Sequence, residues 1–255
     1  MDDLSKFLYE RYVSRFKADG GEVRPLSFNN QRWLQGRILP LLESVPRSGA
    51  ILELGCGPGH LLGFLKNHGY NNCRGVDLCE EQVDIATKAG LLARQADLFD
   101  TLRAAAGEYH AIIAIDVIEH IERGRLLEFG ILCRNALRPG GLLLMQTPNG
   151  EGLHAGHVIY GDLTHRVIFN ESSLRQYLRA LEFNDIVIRE TAPVAKGFKG
   201  AVRWLGWKII RGLAIAKIMV ETGRRPRILT QELLCSGRAP LDGGQGSSAS
   251  PARPG

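Results

Sequence analysis

The residues with the most evident chemistry lie in the run Asp116-Val117-Ile118-Glu119-His120. On a helical turn the spacing i, i+3, i+4 points the two carboxylates and the imidazole the same way. Such a group can act as an acid–base pair or bind a divalent ion. Further along, Thr147-Pro148-Asn149 closes an apolar run, and His154, His157, Asp162 and His165 crowd the stretch that follows. Four such groups in so short a segment are expected to overhang whatever Asp116 and its neighbours face. Glu119, His120 and His165 are therefore the candidate catalytic residues. Asp116, Glu119, His120 and His165 are weak candidates for metal ligands, with a general base favoured over an ion.

A second set of chemical residues sits at the ends of short apolar runs. Ile51–Leu54 leads into Gly55-Cys56-Gly57-Pro58-Gly59 and then into a helical pattern. A strand, a glycine loop and a helix in that order let backbone approach a nucleotide closely. A dinucleotide fingerprint would put its third glycine at position 60, which holds His60, so the loop reads E-x-G-x-G-x-G from Glu53. Asp77 ends the next apolar run, about twenty residues on, where a carboxylate can accept from ribose hydroxyls, as it would in an NAD enzyme too. Asp97 follows the third run, Asp116 the fourth, and Leu137-Arg138-Pro139-Gly140-Gly141 precedes the fifth.

This series resembles the class I S-adenosylmethionine (SAM) dependent methyltransferases, over roughly residues 46 to 191 and the last strand. The resemblance implies SAM as cofactor. It implies that Glu53, Gly55, Cys56, Gly57 and Gly59 line its methionyl part and that Asp77 with Leu78 meets the ribose. Asp97 with Leu98 then meets the adenine, and Asp116 with Val117 completes the pocket. The acidic run with a later His resembles the metal-linked methyltransferases of ubiquinone biosynthesis and the small-RNA 3′-end 2′-O-methyltransferases, whose run is E-x-x-E-H. Here Asp116 stands at the first position, one methylene short. The stretch Gly161-Asp162-Leu163-Thr164-His165, followed by Phe169-Asn170-Glu171-Ser172-Ser173-Leu174, resembles a segment of methyltransferases from surface-glycan and lipid-sugar pathways. Asn170 or Ser172 also suits a helix N-cap.

The elements that must position these residues follow from the pattern. From Ala50 to Gln146 short apolar runs alternate with helical ones: Ile51–Leu54, Leu61–Lys66, Cys73–Val76, Glu81–Ala89 and on to Leu142–Gln146. Alternation of that kind predicts a parallel sheet with crossover helices. Ala111–Ile115 is apolar throughout, as in a central strand covered on both faces. A helix is predicted over Leu174–Leu181, a strand over Asp185–Arg189 and a last, antiparallel strand over Ile228–Ser236. The fold class is thus α/β, Rossmann-like and doubly wound, with a mostly parallel seven-stranded sheet. N-terminal helices over Leu4–Phe16 and Gln31–Leu42 precede it, and a basic helical insert at about 196–225 comes before the last strand. The expected divisions are a helical cap at 1–45, the SAM-binding domain at 46–237, and a Gly-, Ser- and Pro-rich disordered tail at 238–255.

At 255 residues and 44% hydrophobic content the chain can bury one substantial core. The 32 Lys and Arg against 27 Asp and Glu leave a formal charge of +5, which favours anionic partners without choosing among them. Five cysteines with no C-x-x-C pair suit a reducing cytoplasm. The start Met1-Asp2-Asp3-Leu4 is unlike a secretory signal, and Leu213–Val220, which carries Lys217, is too short to span a bilayer. The insert pairs Lys196, Lys199, Arg203, Lys208, Arg211 and Lys217 with Trp204, Trp207 and aliphatic residues. It suits either a lid or peripheral contact with the inner face of a membrane, with RNA backbone the weaker alternative.

These readings together point to methyl transfer onto a hydroxyl of a sugar or lipid-linked glycan, assisted by a general base. Rival enzyme readings are a quinone-pathway O-methyltransferase and a metal-dependent RNA 2′-O-methyltransferase. A rival of another class is a SAM-binding partner protein without chemistry.

Overall fold

The computed structural model describes residues 7–8 and 28–241. The first predicted helix, apart from Phe7 and Leu8, and the tail beyond residue 241 lie outside the described residues. The second begins as α1 (Phe28–Trp33), continues as a π turn over Leu34–Ile38 and tightens to a 3-10 turn over Leu39–Leu42. Gly36 and Pro40 are poor helix formers, and Pro40 has no N–H to donate, which accounts for the irregular hydrogen bonding.

The alternating elements are β1 (Ile51–Leu54), α2 (His60–Asn67), β2 (Cys73–Asp77), α3 (Glu80–Lys88), β3 (Ala93–Gln95), α4 (Leu98–Arg103), β4 (Tyr109–Ile115), α5 (Leu126–Ala136) and β5 (Leu137–Pro148). They are followed by α6 (Gly156–Ile159), α7 (Glu171–Ala180), β6 (Asn184–Glu190), α8 (Gly197–Thr222) and β7 (Glu232–Arg238). The seven strands form one sheet in the order β3-β2-β1-β4-β5-β7-β6. All pair in parallel except β7, which runs antiparallel to β5 and β6. This is the Rossmann-like, doubly wound sheet with an antiparallel last strand that the pattern predicts.

β4 lies at the centre and explains its own sequence. Ala111 and Ile113 pack into one core with α2 and the turns after α1, while Ile112 and Ala114 pack into the other with α4, α5 and α7. Both faces being dry, the strand has no polar side to alternate with. Truncating Ile112 or Ile113 to Ala would cost about 2–5 kcal/mol.

The last strand departs from its expected bounds. Ile228 and Leu229 are buried, as strand residues would be, but in a loop: Leu229 accepts from Leu153 N and donates its N–H to Glu190. Pairing with β5 begins at Glu232 and runs to Arg238, and Ala239 is buried and donates to Gly141 O. The ordered chain therefore passes the boundary expected at 237, because β5 extends far enough to pair with it.

Candidate active site

The sheet order reverses between β1 and β4, and in open α/β sheets ligands bind outside the carboxyl ends of the strands at such a point. A cavity of about 660 Å³ opens there, reached by Gly55 and Gly57 after β1, Asp77 and Leu78 after β2, Asp97 and Leu98 after β3, and Asp116 and Val117 after β4.

Gly55 and Gly57 take φ of 66° and 52°, a region L side chains rarely adopt. A Cβ at Gly55 would lie 2.7 Å from Val117 Cγ2, and one at Gly57 would lie 2.9 Å from Gln82 Oε1. The loop is thus a cradle that side chains would fill. Asp77 holds it in place: its Oδ2 accepts from Gly57 N and its Oδ1 from Cys79 N, both at 2.8 Å. Burial nevertheless raises the Asp77 pKa, the backbone hydrogen bonds offsetting only part of the cost.

Glu53 is buried behind the loop, and its Oε2 finds no hydrogen-bond partner among the described residues. Burial, then the charge of Asp77, holds its carboxyl well above the ordinary range. A buried acid with an orphaned oxygen beside a glycine cradle fits the cationic methionyl end that the resemblance assigns to this position. Glu53 lies behind the lining rather than in it, and two other residues assigned there by sequence do not line the cavity either. Cys56 is packed against Gly75 in the core and donates its N–H to Val76 O. Gly59 serves packing instead: its missing Cβ makes room for Leu91 and Ala86. Cys56 thus faces the core between two glycines that face the cavity, and by Gly59 the chain has already turned to enter α2.

On the β3 side, Asp97 caps α4, its Oδ1 accepting from Phe99 N at 2.7 Å and Asp100 N at 3.3 Å. Oδ2 takes part in neither bond. Leu98 and Phe99 line the cavity beside it, and the Arg125 guanidinium carbon lies 3.4 Å from the Phe99 ring centroid. An apolar slot edged by one carboxylate suits a flat aromatic base.

The acceptor side is built around Asp116, a non-glycine residue at φ 54°. Gln146, its neighbour across the β4–β5 ladder, donates Nε2 to both carboxylate oxygens at 3.0 and 3.2 Å. That bidentate grip holds the left-handed turn, and the cluster of converging ligand atoms beside it comprises Glu119, His120 and His165 without Asp116. Glu119 is wholly buried, and both its oxygens lack a partner of hydrogen-bonding geometry among the described residues. Burial, then the charge of Asp116, pushes its pKa to about 8. Glu232, from β7, lines the same cavity and is pushed to about 7 by burial and by Asp116.

His120 and His165 face each other with ring centroids 4.8 Å apart. The loop after β5 is clasped to the His120 turn by Arg166 N and Val167 N, which both donate to Glu119 O. Hydrogen bonds fix the proton positions. Burial alone would raise the Asp162 pKa, but the hydrogen bonds from the Thr164 hydroxyl and N–H, ahead of the neighbouring imidazoles, outweigh it and hold the carboxylate ionised. Asp162 Oδ1, 2.6 Å from Thr164 Oγ1, must therefore accept, so the hydroxyl donates to it. Thr164 Oγ1 then accepts from His120 Nδ1 at 2.8 Å, and Nε2 of His120 carries the lone pair. His165 Nδ1 lies 2.9 Å from Ile159 O, which can only accept, so its lone pair is also on Nε2. Burial, then the charge of His165, lowers the His120 pKa and favours the neutral base.

One ligand atom each from Glu119, His120 and His165 lies within 4.8 Å of the others. Two imidazoles with Nε2 lone pairs, second nitrogens engaged, and the Glu119 carboxyl, which would give up its proton to the ion, form a donor set that fits a first-row divalent ion. Three of the four weak metal candidates thus converge. Of the other sequence candidates, His157 and Asp162 line the cavity, whereas His154 is exposed at φ 57° and does not. Asn170 is the N-cap of α7, in a capping box with Ser173, so that part of the glycan-pathway pattern is structural. Gln82, Arg125, Gln146 and Glu232 escaped the sequence reading. A polar pair, Gln146-Thr147, ending an apolar strand was the available signal for one of them.

The model of a family described as a methyltransferase domain matches residues 28–187. Among curated proteins, the chain is 34% identical over 104 residues to peramine synthetase A of Epichloe festucae, covering 41% of this chain and 4% of that protein. It is 34% identical over 131 residues to hemagglutinin 1 of Eikenella corrodens, covering 49% and 41% respectively. The chain thus spans less than half the length of these curated relatives. Among solved structures, a SAM dependent methyltransferase from Archaeoglobus fulgidus is similar at TM-score 0.61 and 20% identity, over 82% of this chain and 92% of that one.

Proposed function

The chain belongs to the methyltransferase domain family, and from that premise we propose that it is an enzyme that binds SAM and methylates a hydroxyl oxygen on a sugar or lipid-linked glycan. When bound, SAM supplies a methyl group on a sulfonium, a good leaving group for in-line displacement. The chain supplies alignment, dryness and a proton acceptor. Glu53 and the backbone of Gly55 and Gly57 would hold the methionyl end, Asp77 the ribose, and Asp97 with Leu98 and Phe99 the base. The observation that carries the reading is the Asp162–Thr164–His120 relay at the far end of the same cavity. It fixes the tautomer so that Nε2 of His120 accepts the hydroxyl proton, which would leave an imidazolium stabilised through Thr164 by Asp162. Glu119, protonated at neutral pH, adds no competing charge.

A second reading has a specific observation behind it, the convergence of Glu119, His120 and His165. A divalent ion held there would supply Lewis-acid stabilisation of the acceptor oxygen, as expected of the quinone-pathway or RNA 2′-hydroxyl alternatives.

The test is incubation with methyl-labelled SAM and fractionated lipid-linked glycans, quinones and RNA, with and without chelator. Label in the glycan fraction, insensitive to chelator, supports the base mechanism. Activity lost to chelator and restored by manganese supports the metal reading. Calorimetric SAM binding without label in any fraction would turn the assignment towards a non-catalytic binding protein.

A further inference from the structure

Helix α8 is oriented opposite to an ordinary surface helix. Its inner face is held by Arg211, which donates to Glu190 Oε1 at 2.8 Å and to Arg227 O at 2.9 Å, and by buried Ile215. Its outer face carries Phe198, Val202, Leu205, Ile209, Leu213 and Val220, at steps of three, four and seven residues and therefore on one stripe. All six are more than half exposed, Phe198 at 86% and Val220 at 90%. A globular helix normally turns such a stripe inward, and a contiguous exposed apolar face marks an interaction surface.

Charge identifies what covers it. At about 100° per residue, Lys199, Arg203 and Lys217 flank the stripe on one side and Lys208 on the other, and Arg224, Arg225 and Arg227 follow the helix. No Asp or Glu occurs from Thr191 to Val220. A second copy packed on this face would set the cations of one helix against those of the other, with Glu221 the one acid on either helix to pair them. An anionic lipid surface meets both requirements, taking the aliphatic stripe below its headgroups and the flanking ammonium and guanidinium groups among its phosphates. The stripe runs about 33 Å at 1.5 Å per residue. Among the described residues no helix is long and apolar enough to cross a membrane, so α8 would lie along the surface.

We propose that the outer face of α8 docks this protein on anionic membranes. The loop after the helix ties the docked element to the active site. Leu153 N donates to Leu229 O, Asn149 Nδ2 to Thr230 O, and Gln231 Nε2 to His154 O, so the segment bearing His157, Asp162 and His165 is bound to the helix's return. The inference does not rest on which acceptor is methylated.

The test is flotation of the full chain with vesicles of phosphatidylcholine, with and without phosphatidylglycerol, at low and high salt. The wild type should float with the phosphatidylglycerol vesicles alone, less so in salt. Each reversed cation should weaken partitioning about fivefold per charge removed, so Lys199→Glu/Arg203→Glu/Lys217→Glu should lose more than about a hundredfold. Leu205→Gln/Ile209→Gln/Leu213→Gln should also stay in the aqueous fraction, with SAM affinity unchanged in both variants as the control for folding. The proposal is overturned if the wild type floats with neither vesicle, or if both variants float as it does. It is equally overturned if the wild type is a dimer without lipid that the Gln variant dissociates, since a second copy would then own the stripe.

Discussion

Replacing Glu119 by Gln changes one atom's chemistry and removes one titration from the dry end of the active site. In the folded chain Glu119 keeps its proton to about pH 8, against an ordinary value of 4.5. A raised folded pKa contributes stability that is complete below the unfolded value and is lost as pH climbs towards the folded one. At about 1.4 kcal/mol per pH unit, the gap amounts to a ceiling of about 5 kcal/mol. The substituted amide does not titrate, while Asp116 and Glu232 titrate in both proteins and largely cancel. Glu119→Gln should therefore match the wild type near pH 4.5 and gain on it steadily to about pH 8. For a chain of this size each kcal/mol moves Tm by about 2–4 °C, so an advantage on the order of 10 °C is expected at the alkaline end. Thermal melts followed by circular dichroism in metal-free buffers across that range measure it. A difference in Tm that does not vary with pH would refute the reasoning, because Glu119 would then ionise as an exposed carboxylate does. Manganese in the same series should raise the wild type alone if the three converging donors hold an ion.

Asp77→Ala should weaken SAM binding by about 1–3 kcal/mol, the loss of hydrogen bonds to a charged group, and unchanged calorimetric affinity would remove Asp77 from the ribose role. His120→Ala and His165→Ala should lower kcat with SAM affinity nearly intact; equal loss of both would make the residue structural. Because the His120 pKa is lowered, the acid limb of kcat/KM should fall below the ordinary 6.5, and an inflection above that value would exclude His120 as the base. Gly130→Ala would place a Cβ 2.1 Å from Leu181 Cδ1 and 2.7 Å from the Tyr177 hydroxyl, and should cost about 1–3 kcal/mol in denaturant unfolding.

The convergence of the strand-end acids was legible because strand ends can be read from apolar runs. Asp77, Asp97 and Asp116 each follow such a run, and all three reach one cavity. Residues that join the site through register were not legible. Gln146 meets Asp116 because β5 lies beside β4, and Glu232 arrives opposite Pro148 on a strand running the other way. No local pattern encodes either meeting. Glu53, Cys56 and Gly59 stand off the cavity lining for the complementary reason: a motif gives the order of loop residues but not which way each one faces. The last strand's start was misplaced because Ile228 and Leu229 are buried by a loop, and apolarity records burial without recording pairing.

The way α8 leaves and rejoins the sheet has an engineering consequence. Its two ends are stitched at the open end of the β6–β7 hairpin, where Glu190 accepts from Leu229 N and Thr191 N donates to Thr230 Oγ1. The intervening chain is a graft on a hairpin that could close with a short turn. Excising it, or transplanting a different appendage onto the same two stumps, should change the docking proposed for the helix without redrawing the cavity at the strand ends.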